Sequence, residues 1–420
     1  SWTSNGGDFS GTVSGSQSVT SNGSYTWGST SQMVADVQDW LDNPGTNYGW
    51  IVIGDETTNA SARRFDSREN ATASNRPQLS ISYSMPIACN PCPGTWSQTG
   101  ANIDGEASGD AFGEDVSMSA DGMRVAIGAS KNDGVNGANS GHARVFEYDG
   151  TNWNQLGADI DGEAAEDRFG TSVSISADGT RVAIGAELAN AGHIRVYEYN
   201  GSNWVQMGAD IDGEVAGDRF GYSVSISADG SRVAGGAWDN NGGSSNAGHT
   251  RIYEWNGSAW VQLGADIDGE AANDASGYSV SISDDGSRVV TGAISNAGNG
   301  ATSGHARIFE WNGSAWVQLG ADIDGEAAGD QSGYSVSISG DGARVAITSK
   351  RNASNLGQVE VYEYDGSAWN QVGSDIEAAV FEFFGEDVAL SQDGSRLVAG
   401  GIFSSGNGSA SGVILSLIHI

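Results

Sequence analysis

The stretch GDRFGYSVSISADGSRVAGGA, Gly217 to Ala237, sets polar and apolar positions in strict alternation. Tyr222, Val224 and Ile226 fall on one side and serines on the other, the period of a half-buried strand. Asp229-Gly230 then supplies a hairpin turn, because glycine accepts positive φ and Asp tolerates it. RVAGGA (232–237) reads as the returning strand, HTRIYEW (249–255) as another, and WVQMGADI (204–211) as one more. The unit returns along the chain. Matching turns carry Gly122, Gly179, Gly286, Gly342 and Gly394, and tryptophans open successive units at 96, 153, 204, 260, 316 and 369. Lengths vary mainly before the HTRIYEW-type strand, as in DNNGGSSNAG against ELANAG, which marks those segments as exposed loops.

Short strands at a period of about 51–57 residues predict an all-β fold built of propeller blades. Six sets of three strands and six tryptophan strands are present, so the Trp96 strand is expected to complete the last blade and close a six-bladed ring, hiding both edges. A seven-bladed propeller that has lost one blade is the alternative. The 63 glycines lack a three-residue period and fall at turns, as this fold requires.

Charge narrows the partners. Asp and Glu number 53 against 19 Lys and Arg, a formal charge of -34. Such a chain is not expected to bind nucleic acid, whose phosphates need a basic stripe, or anionic lipid. No run approaches the 18 apolar residues of a membrane span, so membrane insertion is not expected. The chain opens on SWTSNGG without methionine and closes on SLIHI, and it is read as an excerpt of a longer product.

The blocks DRFGYSVSIS, RVAIGA and GHIRVYEY resemble FG-GAP propeller repeats, over residues 96–416. The Phe-Gly pair stands at 112–113, 169–170, 220–221 and 384–385, and is degraded to Ser-Gly at 276–277 and 332–333. The resemblance implies an extracellular or cell-surface protein of bacterial type, commonly with seven blades. It also implies a calcium loop in the hairpin turn, but SADG or SDDG there is too short and too poor in carboxylates to carry that role.

A different loop concentrates acid. DIDGEVAGD holds Asp210, Asp212, Glu214 and Asp218, with copies at Asp266, Asp268, Glu270 and Asp274 and at Asp322, Asp324, Glu326 and Asp330. Oxygens at alternating positions suit Ca2+. The competing reading, which the short spacing favours, makes Asp210 and Asp212 the outward side of a strand and has Asp218 bond turn amides. Ca2+ is thus a candidate ligand, and no cofactor is required. His142, His193, His249 and His305 are expected to be hydrogen-bonded structural residues, and Arg124, Arg181, Arg232, Arg288, Arg344 and Arg396 to offset carboxylates near the turns. No nucleophile elbow, HExxH or phosphate-cradling loop occurs, so catalysis is not expected. Cys89 and Cys92 form a lone CxxC in a linker over 86–95, either a local disulfide or two idle thiols.

Residues 1–85 have no later copy. Their stretches VQDWLDNP, NYGWIVIG, RRFDSREN and RPQLSISY resemble the C-terminal half of DNRLRE modules, secreted β-sandwiches of the carbohydrate-binding type. An N-terminal partial sandwich is expected, and the resemblance makes Trp40, Tyr48, Trp50, Arg63, Arg64 and Arg68 candidate glycan contacts, although tryptophans on strands are more often core. The expected domains are 1–85, the linker, the propeller over 96–416 and a tail over 417–420. The expected function is non-catalytic: carbohydrate binding or cell-surface adhesion by a secreted monomer, with polysaccharide or a surface protein as partner. A protein-binding scaffold and an accessory region of a larger polysaccharide-degrading enzyme are the alternatives.

Overall fold

In the computed structural model the chain divides into two compact units, Ser1–Thr95 and Trp96–Ile420. The described residues are 98–351, 356–377, 384–404 and 411–418, all in the second unit. The expected half sandwich, its glycan candidates Trp40, Tyr48, Trp50, Arg63, Arg64 and Arg68, and the expected Cys89 and Cys92 linker fall on residues outside them.

Six antiparallel sheets follow one another along the chain. The third is representative: inner strand Ser223–Ile226, then Arg232–Ala237, His249–Trp255 and outer strand Trp260–Gln262. A two-residue strand, Ile267–Asp268, pairs with the start of His249–Trp255. Five sheets have this five-stranded form, and the sixth holds Phe384–Leu390, Arg396–Ser404 and Ser411–Ile418. The expected single strand over 204–211 is therefore two pieces, Trp204–Gln206 and Ile211–Asp212. Gly208 breaks it with φ +74, a conformation that costs glycine nothing.

Alternation explains the core. Val224 and Ile226 pack with Phe220, Val233 and Ala237 and with Ile194 and Val196 of the preceding sheet. The serines opposite are not simply solvent-facing. Ser172 and Ser174 Oγ accept the amides of Val224 and Ile226 at 3.0 and 3.1 Å, and Ser223 and Ser225 do the same for Val280 and Ile282. From the second sheet to the sixth, each inner strand thus has edge amides satisfied by the sheet before it. The glycine of the Phe-Gly pair permits that approach: Gly221 has φ +86, and a Cβ there would sit 2.5 Å from the His193 carbonyl oxygen.

Two further links join neighbours. The Trp260 indole N–H donates to the Met207 carbonyl at 2.9 Å, and Trp204, Trp316 and Trp369 repeat the bond. Arg232 donates to Glu254 in its own sheet and to the Gly286 carbonyl in the next turn. Arg124, Arg181, Arg288 and Arg344 pair with Glu147, Glu198, Glu310 and Glu363 in the same way.

The first sheet differs from its followers. Val116 and Met118 are 57% and 56% exposed, whereas their counterparts Val173 and Ile175 are 4% and 7% exposed. Turn amides link each sheet to the next in five steps, from Ala120 through Ala177, Ala228, Asp284 and Gly340 to Gln392. Among the described residues no sixth step returns from Gln392 to Ala120; the Trp96 strand expected to complete the sixth blade lies outside the described residues.

Candidate functional site

Strand registry collects the repeat's chemistry at one end of each blade. In the first sheet Phe112, Ala129, His142 and Asp161 stand in one row, from the innermost strand to the outermost. The opposite end holds the hairpin turns, where Asp229 Oδ1 accepts Ser231 N and Ser227 Oγ. Those turns are occupied by their own hydrogen bonds.

At the row's inner end, aromatic side chains meet across blades. The ring centroids of Tyr222 and Tyr278 lie 5.0 Å apart, and those of Tyr278 and Tyr334 5.2 Å. Trp238 lies 6.0 Å from Tyr222 and 6.2 Å from Tyr278. All four are half-buried. Lys350 Nζ sits 4.0 Å from the Tyr334 ring centre and bonds Glu386, while the Arg219 guanidinium lies 5.1 Å from the Trp238 ring and pairs with Glu187 and Asp239. Burial first, then Tyr278 beside them, pushes the Tyr222 and Tyr334 hydroxyls up, so they stay protonated donors.

Sequence alternation places Tyr222 with Val224 and Ile226 in the core, and it is not there. In the fourth and fifth sheets the register shifts between Ser276 and Ser279 and between Ser332 and Val336. Such a bulge re-aims the side chain inside it, here Tyr278 and Tyr334. The position before the Phe-Gly or Ser-Gly pair is also unusual: Ala111, Arg168, Arg219, Ala275 and Gln331 all have φ between 55 and 59°. Left-handed backbone at a non-glycine residue costs on the order of 1 kcal/mol, and it recurs in every complete blade. A signal was available: Glu114, Thr171, Tyr222, Tyr278, Tyr334 and Glu386 vary at one position of an otherwise constant repeat.

At the row's outer end lie the acidic loops, and their carboxylates are divided between sheets. Asp210 takes two hydrogen bonds from Arg195 at 2.9 and 3.0 Å, which hold its carboxyl below the usual range against the opposing effect of burial. Asp212 groups with His193 and Asp210, whereas Glu214 groups with His249 and Asp266 of the next sheet and pairs with Arg251. Arg251 also binds Asp266. Asp218, Asp274 and Asp330 accept the amides of Val215, Ala271 and Ala327, and Asp218 and Asp274 also accept from Asn240 and Asn296. Asp268 lends its backbone carbonyl to Arg307, Glu270 lies 3.7 Å from Arg307, Asp322 accepts from Gln318, and Asp324 lies 3.9 Å from His305. Glu326 joins Glu360 and Asp375. Among the described residues, the four acids of one loop form no converging group of oxygens.

The histidines depart from expectation. His142, His249 and His305 are at most 1% exposed, and His193 6%, yet Nε2 of each lacks a hydrogen-bond partner. Burial is the main cause that lowers their pKa, so they are buried neutral. In the first sheet a cavity of about 380 Å3 is lined by Glu106, Asp110, His142, Asp159 and Asp161 among others.

Comparison with known proteins agrees with this architecture. Residues 103–146 match the FG-GAP repeat family. No curated protein of similar sequence is found. Among solved structures, a 6-phosphogluconolactonase-like protein of Bacteroides uniformis superposes with a TM-score of 0.50 at 10% identity, over 73% of this chain and 85% of that one. A functionally unknown protein of Desulfotomaculum acetoxidans gives 0.49 at 13%, over 74% and 90%. Hydrazine synthase of Kuenenia stuttgartiensis gives 0.47 at 14%, over 72% and 83%. The second unit is a β-propeller carrying an FG-GAP repeat. Identity this low speaks to fold alone, and activity must be argued from the site. Among the described residues no helix is long and apolar enough to cross a membrane.

Proposed function

We propose that this chain is a non-catalytic extracellular binding protein whose propeller holds a neutral carbohydrate against the Tyr222, Tyr278, Tyr334 and Trp238 cluster. The observation that carries the reading is that these rings, from consecutive blades, are in contact and half-exposed, with Arg219 over the Trp238 ring and Lys350 over the Tyr334 ring, each paired with an acid, Glu187 and Glu386. Aromatic faces stack on the apolar faces of sugar rings, while flanking charged groups and hydroxyls bond their oxygens. The formal charge of -34 opposes polyanions, so neutral glycans fit better than acidic ones. The exposed Val116 and Met118 face supports a ring with room for one more blade over one closed at six.

Retention of the full chain on a panel of neutral and acidic polysaccharides tests this, with Tyr278→Ala beside it. At least a tenfold loss on a neutral polymer is expected. Retention unchanged by Tyr278→Ala but lost on removal of residues 1–85 would move the site to the front module. A panel without retention would favour adhesion to protein.

A further inference from the structure

In four of the five complete blades the third strand begins His-x-Arg: His142 and Arg144, His193 and Arg195, His249 and Arg251, His305 and Arg307. In the fifth blade those places hold Gln358 and Glu360. Where Arg195 clasps Asp210 and Arg251 clasps Asp266, the fifth blade presents a carboxylate to the equivalent acid, Asp375. One position has changed from positive to negative while its acidic neighbours remained.

The exchange is deep in the blade. Glu360 is 2% exposed and Gln358 1%. Carboxylate oxygens of Glu326, Glu360 and Asp375 lie within 4.8 Å of one another. The partners found for them are neutral: Tyr362 donates its hydroxyl to Glu360 Oε1 at 3.1 Å, and Gln371 Nε2 donates to Asp375 Oδ1 at 2.6 Å. Among the described residues no Lys, Arg or His forms an ion pair with any of the three acids. Glu360 Oε2 is buried without a well-formed hydrogen bond, and so is Gln358 Nε2, two residues away on the same strand face, whose side chain interacts with the Glu360 carboxylate. A buried carboxylate oxygen without a cationic partner, beside two more carboxylates, needs either a counter-charge or a proton.

We infer that this corner of the fifth blade is a divalent cation site of the calcium class, with Glu326, Glu360 and Asp375 as ligands. Every candidate donor is a hard oxygen, which selects Ca2+ over metals that favour nitrogen or sulfur. Gln358 can add a fourth oxygen by turning its amide over. Glu326 is exposed, so the site opens to solvent on its side and water can complete the coordination. The site is neither the hairpin-turn loop nor the run of acids within one loop, since it draws on two loops and a strand.

The test titrates the full chain with Ca2+ by calorimetry, with Mg2+ as control, and with Tb3+, whose emission Tyr362 can sensitise. Glu360→Arg rebuilds the pairing seen between Arg195 and Asp210, and Glu360→Gln and Asp375→Asn remove one charge each. The wild-type chain is expected to bind Ca2+, the Arg variant to bind one ion fewer, and the other two to bind at least tenfold more weakly. In chelator the Arg variant should melt higher than wild type. The inference is overturned if the wild type shows no Ca2+ binding, or if the Arg variant keeps the wild-type stoichiometry, which would put the ion in another corner. It is equally overturned if Glu360→Gln stabilises the chain without any Ca2+ effect, the signature of an acid held by a proton. None of these outcomes depends on carbohydrate binding.

Discussion

The Ser225 hydroxyl accepts the backbone amide of Ile282 at 3.1 Å, joining the inner strands of two consecutive blades. Ser223 and Val280 repeat the contact two residues away, at 3.0 Å. The serine row of each inner strand therefore caps the amide edge of the next, where a further strand would otherwise pair. Ser225→Ala is expected to cost about 1 kcal/mol, and the double change with Ser223 about 2 kcal/mol, because each leaves a partly buried amide unsatisfied. Denaturant unfolding gives the magnitude, and faster hydrogen exchange at Val280 and Ile282 gives the place.

His305 sets a pH dependence. Burial, aided by Arg307, lowers its pKa to about 4, while Asp322 and Asp274 act in the opposite direction and Glu270 and Asp324 lie about 4 Å away. The native state therefore binds fewer protons than the unfolded chain between pH 4 and 6.5. Its stabilising contribution is present above the unfolded pKa and is lost as pH falls through that window, by roughly 2–3 kcal/mol at the acid end. His142, His193 and His249 shift in the same direction. Gln358 already occupies the equivalent place in the fifth blade, so His305→Gln should fold and should flatten this slope. Urea midpoints from pH 5 to 7.5 check it; a slope equal to wild type would show that His305 is not the group responsible.

Gly221 and Gly217 separate two reasons for glycine. Both have positive φ, but a Cβ at Gly217 meets nothing within 4 Å, whereas at Gly221 it meets the His193 carbonyl oxygen at 2.5 Å. Gly217→Ala should cost about 1 kcal/mol through backbone strain alone. Gly221→Ala adds a clash with backbone that cannot swing aside, and should cost about 3 kcal/mol or more. Equal melting temperatures for the two variants would contradict the close packing of neighbouring blades.

What the sequence made legible was local or repeated. Alternation located RVAGGA and HTRIYEW to the residue, and Asp229-Gly230 located the turn, because period and turn chemistry are properties of neighbouring residues. The split of WVQMGADI was missed because alternation continues through Gly208, whose φ only the fold reveals. Tyr278 was missed for a related reason: the bulge before Ser279 breaks the period-2 rule where the aromatic cluster forms. The division of Asp212 and Glu214 between two sheets was not readable from their spacing, since Glu214 finds Arg251 only when the next blade folds beside it. The replacement of Arg by Glu360 was visible by aligning the repeats. Its meaning was not, because burial of Glu360 beside Asp375 is a tertiary fact.

Met118 and Ile175 occupy the same place in the first and second blades, and only Ile175 is covered. Exposures of 56% and 7% predict opposite responses to the same change. Ile175→Lys puts a charge among Val173, Val182 and Ile184 and should cost more than about 3 kcal/mol, enough to unfold that blade pair. Met118→Lys leaves its ammonium in water and should fall within about 0.5 kcal/mol of wild type. The comparison also reads the ring itself. If Met118→Lys proves as costly as Ile175→Lys, a neighbour covers the first blade in solution and the ring is closed at six. If it is neutral and Ile175→Lys is not, the face of Val116 and Met118 is open, and the propeller has room for another blade between its sixth sheet and its first.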